Sequence, residues 1–150
     1  MARQTPLTPK CNDRTPSRVL SQAAALPWYR DSEGKVWVLL IRRCHKRRWG
    51  IPKGIIEPGQ TDRQAAIQEA REEAGVRGDL SSEPIGEFEY EKWGCTCRVG
   101  VFVLHVTRED EHYEEESFRE RRWFRLTEAQ RRTCRKGIRP LLSRLASLVS

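Results

Sequence analysis

GIIEPGQTDRQAAIQEAREEAGV, residues 54–76, is the stretch whose reading decides the fold. Glu57-Pro-Gly59 spells a turn, and Thr61 with Gln64 three residues on spells a capping box. Ala65, Ala66, Ile67, Ala70 and Ala74 recur at helical spacing, and Gly75 supplies a left-handed stop. The spacing predicts a helix ending at Gly75. On it, Glu69, Glu72 and Glu73 fall in one stripe about 100° wide beside the apolar one. Like charges at i,i+4 cost only a few tenths of a kcal/mol on a solvated face. The spacing alone therefore leaves two readings open, an exposed acidic face or a cation site. The frame favours the second: a turn, a capped helix and a glycine stop present the acids together. Clustered carboxylates suit hard cations such as Mg2+ or Mn2+, which share their ligands with substrate phosphates. An ion held there neutralises phosphate charge and acidifies an attacking water, and a spare carboxylate can take that water's proton.

Outward from this helix, VWVLLI at 36–41 reads as a buried strand after the turn Asp31-Ser-Glu-Gly34. Residues 88–93 and 96–106 read as strands joined across Gly94 in a hairpin, the second alternating Val99, Val101 and Val103. A short strand at 122–126, a helix from Thr127 and an amphipathic helix over 138–149 close the chain, with Pro140 in the first turn of the last. Strands and helices interleave without a strict βαβ period, which predicts an α/β domain with a mixed sheet. Trp37 is expected in the core, Trp123 in a packing role and Trp49 as a cap on the core edge. His45 and His112 sit in polar loops without spacing partners, so no metal role is assigned to them.

The chain has 150 residues, enough for one ordinary domain, and no apolar stretch approaching the ~20 residues of a membrane span. Repeats, heptads and periodic glycine are absent, which excludes solenoid, coiled-coil and collagen-like classes. Lys plus Arg (28) exceed Asp plus Glu (21), giving a net charge of +7. That excess suits polyanionic partners, and its distribution adds to the argument. Acids gather at 69–73 and 109–116, bases at 42–48 and 119–139, so one patch can hold a cation and another an anion. Residues 1–18, with Pro6, Pro9 and Pro16 and no apolar core, read as a flexible basic tail rather than a secretory signal. The five cysteines contain no Cys-x-x-Cys pair, so a structural zinc site is not expected. Reduced thiols and a cytoplasmic location are.

The run Gly54 to Gln60 followed by Gln68-Glu-Ala-Arg-Glu-Glu-Ala-Gly-Val76 resembles the Nudix box, Gx5Ex7REUxEExGU with U a bulky aliphatic residue. Gly54, Glu69, Glu72, Glu73, Gly75 and Val76 match it, and Ala70 is a small stand-in for U. Trp49-Gly-Ile-Pro-Lys-Gly54, the Lys92-Trp93 strand and Arg119-Glu-Arg-Arg-Trp-Phe124 further resemble the diphosphoinositol polyphosphate phosphohydrolase-like branch, over residues 22–136. Two positions depart: Gln60 stands where the box has Glu, and Gln68 where it has Arg. An amide at 68 can still hydrogen-bond a carboxylate but cannot neutralise it.

The resemblance implies an α/β/α sandwich with a mixed β-sheet, residues 19–150 forming the Nudix hydrolase domain. It implies Mg2+-dependent cleavage of a pyrophosphate linkage by water attack on phosphorus, with Mn2+ a possible substitute. Glu69 and Glu73, with the Gly54 carbonyl, would hold the metal, and Glu72 would be a ligand or the general base. Arg42, Arg43, Lys53, Lys92 and Arg119 would hold phosphates, with Arg43 and Arg119 preferred for their bidentate grip. The expected substrate is phosphate-rich, a diphosphoinositol polyphosphate or dinucleoside polyphosphate. The alternatives are a dinucleoside tetraphosphate or other nucleoside-diphosphate hydrolase, and a catalytically weak phosphate- or RNA-binding regulator. Neither a membrane nor, by preference, nucleic acid is expected as a partner, and the chain is expected as a monomer or homodimer.

Overall fold

Two long strands organise the sheet: β1 (Val19–Arg30) and β6 (Cys95–Glu109) pair in parallel from Val19↔Thr96 to Trp28↔His105. They belong to a computed structural model that describes residues 18–133 and 136–150, so the expected tail, apart from Arg18, lies outside the described residues. The other strands are β2 (Val36–Arg43), β3 (Lys53–Ile55), β4 (Val76–Leu80), β5 (Gly86–Lys92) and β7 (Arg119–Arg125). Helix α1 (Asp62–Glu69) runs on into a π-helical turn over Ala70–Ala74, and α2 (Leu126–Arg132) and α3 (Ile138–Val149) follow β7. Among the named strands of the described residues, the pairings other than β1–β6 are antiparallel, in the order β4-β6-β1-β2-β7. The sheet is mixed, as expected.

Each long strand divides one edge between two short partners. β1 pairs β3 through residues 22–24 and β2 through residues 28–30, while β6 pairs β5 and β4 in turn. Pro27 falls in the gap between β3 and β2. Ala25 sends its N–H out of this edge to Pro52 O (3.1 Å), and the residue two further on faces the same way. Proline's missing donor therefore costs no ladder bond.

Period-two alternation sends the sheet's side chains to opposite layers. Ala24, Leu26, Val38, Leu40, Val99 and Val101 pack with Ile138, Leu141, Leu142 and Leu145 of α3 on one face. Ala23, Ala25, Leu39, Ile41 and Phe102 meet Ala65, Ala66, Ala70 and Ala74 on the other. Alanines on both sides of this second layer let the helix lie close to β1 and bring its acidic end near β3. The three layers make the α/β/α sandwich.

The β5–β6 hairpin turns at Trp93 (φ 56°) and Gly94 (φ 71°), two consecutive left-handed residues as a type I′ turn requires. Trp49 is buried against Phe124 in an edge-to-face contact, which agrees with its expected place at the core edge. Trp37, expected in the core, is only half-buried: its indole N–H donates to Asp31 Oδ2 (2.8 Å), tying the β1–β2 turn from outside. The expectation of uniformly reduced thiols also needs correction. Cys44 and Cys97 are free, but Cys95 is disulfide-bonded.

Gly75 (φ 64°) ends the π turn, and its N–H reaches Arg71 O (3.1 Å). A Cβ there would sit 2.5 Å from Arg121 Nη1 and 2.9 Å from Tyr113 Cβ. Left-handed strain and the Tyr113 clash add, so Gly75→Ala is expected to cost about 1–3 kcal/mol, read as a fall of several degrees in Tm. An unchanged melt would show that the turn relaxes freely.

Candidate metal centre

Thr61 Oγ1 accepts from Gln64 N (3.1 Å) and Gln64 Oε1 from Thr61 N (2.9 Å), so the expected capping box starts α1. After the eight residues of α1 the helix widens. In the wider turn, Glu72 (6% exposed) and Glu73 (3%) both point inward. Those fractions set aside the fully solvated acidic face, which would leave both open.

Glu73 lies deepest. Its Oε2 accepts from Lys53 N–H (3.3 Å) and its Oε1 meets Arg119 Nη2 at 3.3 Å. Burial pushes its carboxyl well above the usual carboxylate range; Arg119 opposes the shift, while a hydrogen bond with Glu69 adds to it. Arg119 also grips Glu115 (Nε to Oε1, 2.6 Å). Burial alone would lower the guanidinium's pKa, but Glu73 and Glu115 outweigh it and hold the side chain charged.

One oxygen each from Glu69, Glu72 and Glu115 lies within 4.8 Å of the others. Glu115 was not among the residues expected from sequence, although the acidic run 109–116 was the signal pointing to it. Its loop is pinned to the helix end: Glu115 N donates to Glu72 O (3.0 Å) and Asp110 N to Gly75 O (2.7 Å). Arg121, another residue the sequence reading left unassigned, closes the same end. It donates to the Ala74 and Asp110 carbonyls (3.0 and 2.6 Å) and lies over the Tyr113 ring.

Gly54, on β3 opposite Ala23, sits directly beneath Glu69; a Cβ there would overlap the Glu69 carboxyl group. The glycine is a cradle for that carboxylate. An all-oxygen donor set of this kind fits a hard divalent cation.

The structure divides the candidate phosphate-binding residues. Arg119 is inside the cluster, and Arg43 is its cross-strand partner in the β2–β7 ladder. Lys53 places its ammonium 4.8 Å from the Tyr90 ring centre, and Lys92 follows Tyr90 by two residues on the same face of β5. Arg42 points to the opposite face of β2 from Arg43. There it donates twice to Glu120 Oε2 (3.1 and 2.9 Å) and covers Trp49. Arg121 and Arg122 split across β7 as strand alternation predicts, Arg122 lying toward Trp49 and Phe124.

Among the described residues no helix is long and apolar enough to cross a membrane. The NUDIX domain family model matches residues 20–145. Nudix hydrolase 13, mitochondrial, of Arabidopsis thaliana is 36% identical over 66% of this chain and 54% of its own length. Diphosphoinositol polyphosphate phosphohydrolase 3-alpha of Mus musculus is 34% identical over 76% of this chain and 69% of its own. The chain spans about half the length of the plant relatives it matches. Among solved structures, a C. elegans Ap4A hydrolase binary complex superposes with a TM-score of 0.71 at 21% identity, covering 87% of this chain and 97% of that one.

Proposed function

This chain belongs to the NUDIX domain family, and on that premise we propose that it hydrolyses a pyrophosphate linkage in a phosphate-rich substrate, water attacking phosphorus. One observation carries the reading: Glu69, Glu72 and Glu115 converge to within 4.8 Å where the helix ends, with the Gly54 backbone directly beneath. Glu69, Glu73 and the Gly54 carbonyl are offered to Mg2+ (or Mn2+), with Glu115 added to the set. Bound there, such an ion would supply charge neutralisation on the phosphates and a more acidic attacking water. Glu72, one of whose oxygens is fixed by Gln68 Nε2 (2.9 Å), takes the proton from that water. Arg119 keeps Glu73 and Glu115 in place from behind.

Arg43, Lys53 and Lys92 bind phosphates in this scheme, while Arg119, expected among them, is committed to Glu73 and Glu115. Arg42, engaged by Glu120 on the other face, contributes least. Clustered cations favour a ligand with many phosphates close together, which supports a diphosphoinositol polyphosphate or dinucleoside polyphosphate over ADP-ribose. The relative named for diphosphoinositol polyphosphates supports the first of these. Metal-dependent phosphate release from a panel of pyrophosphates tests the activity, and specificity constants at two ionic strengths test the substrate class. Polyphosphorylated substrates are expected to lead, with rates that fall as salt rises. ADP-ribose as best substrate, at a salt-insensitive rate, would overturn the charge argument.

A further inference from the structure

Three hydrogen bonds run in one direction toward the proposed base. Glu57 N–H donates to Gln60 Oε1 (3.1 Å), Gln60 Nε2 to Gln68 Oε1 (2.6 Å), and Gln68 Nε2 to Glu72 Oε1 (2.9 Å). The two ends dictate the polarity of both amides. A backbone N–H can only donate and an ionised carboxylate can only accept, so each glutamine must present its carbonyl toward Glu57 and its NH2 toward Glu72. We propose that Gln60 and Gln68 are positioning residues, a head-to-tail amide relay that holds Glu72 in its working orientation. The two departures from the box pattern are then one coupled exchange. A Glu and an Arg are replaced by two amides in mutual contact, which removes one negative and one positive charge and preserves the local balance.

The relay rests on the reading above, in which Glu72 takes the proton from water. Its logic lies in donor counting. Gln68 has a single donor end, and the neutral Gln60 leaves that end to Glu72. A carboxylate at position 60 would make Gln68 face two acceptors with one NH2, and its carbonyl would be turned against one of them. A guanidinium at position 68 carries five donors and can serve both.

The test is a charge-swap pair, Gln60→Glu and Gln60→Glu/Gln68→Arg, in the full chain. Gln60→Glu is expected to lower kcat about tenfold with KM nearly unchanged, the scale of losing an outer-shell partner. Adding Gln68→Arg is expected to bring kcat back to within about threefold of the parent. A merely structural pair would move Tm and leave that rescue absent. Side-chain 15N–1H spectra supply a readout independent of turnover: the Gln68 NH2 pair is expected to shift in Gln60→Glu, and likewise in Glu72→Gln. Full turnover in Gln60→Glu, or a double variant no better than the single one, would overturn the relay while leaving the hydrolase reading intact. A parent chain without metal-dependent turnover would overturn the hydrolase reading, and the spectra would still decide whether the amides are coupled to Glu72.

Discussion

Glu72→Gln is expected to lower kcat by about two to four orders of magnitude, the range for removing a positioned general base. The substitution preserves shape, and the new amide oxygen can still accept from Gln68 Nε2 where Glu72 Oε1 does now (2.9 Å). What disappears is the proton acceptor. Because Arg43, Lys53 and Lys92 are untouched, KM is expected to move little, which separates a loss of chemistry from a loss of binding. Stability is expected to hold or rise. Glu72 is buried beside the partly exposed Glu69 and Glu115, and removing its charge relieves repulsion within the cluster and the cost of keeping that charge out of water. Steady-state kinetics at saturating substrate and Mg2+, paired with a thermal melt, reads both. Turnover within a few-fold of the parent would move the base assignment to another acid of the cluster.

The helix that carries this site was legible in the sequence because its signals are local. Thr61 and Gln64 close a capping box within four residues, and Gly75 stops the helix by its own conformational freedom. The 93–94 turn and the α3 boundaries are read from near neighbours in the same way. β1 was not legible. Gln22-Ala-Ala-Ala25 has low strand propensity and Pro27 argues against a central strand, yet parallel pairing with β6 and the unpaired edge at Pro27 override both. β4 was missed for the same reason: Val76-Arg-Gly-Asp-Leu80 alternates poorly and is held as a strand by β6.

The site divides along the same line. Glu69, Glu72 and Glu73 share one turn of helix, so sequence spacing finds them together. Glu115 reaches them from a loop more than forty residues away, through its N–H to Glu72 O (3.0 Å), and only the fold could pair them. The π turn was equally hidden, since it changes where Glu72 and Glu73 point without changing their spacing. Arg42 and Arg43 show the converse. They are adjacent in sequence and so face opposite sides of β2, which places one behind the sheet with Glu120 and the other beside Arg119.

Gly54→Ala is expected to abolish most turnover without weakening the fold, an outcome that few glycine substitutions give. The backbone at Gly54 is not left-handed, so alanine is conformationally acceptable there, and Gly→Ala at a compatible site gains about 0.4–1 kcal/mol through the unfolded chain. The three atoms nearest the new methyl all belong to the Glu69 side chain, whose carboxyl end it would overlap. Glu69 therefore swings away, at a side-chain cost of about 0.5–1.5 kcal/mol, and the two contributions nearly cancel. Function has no such compensation. Glu69 is the acid that both hydrogen-bonds Glu73 and faces Glu72 and Glu115, so displacing it opens the cluster from its centre. A misplacement of about 1 Å at a reacting centre can cost about a hundredfold in rate, and Mn2+ affinity is expected to fall with it by about ten- to a hundredfold. A melt, a Mn2+ titration followed by electron paramagnetic resonance, and kcat/KM together decide the matter. Intact Mn2+ affinity and intact rate would remove Glu69 from the metal centre. A Tm lowered by many degrees would instead make Gly54 a packing residue of the β1–β3 pair, because only a backbone that could not accept the methyl would transmit the clash to the sheet.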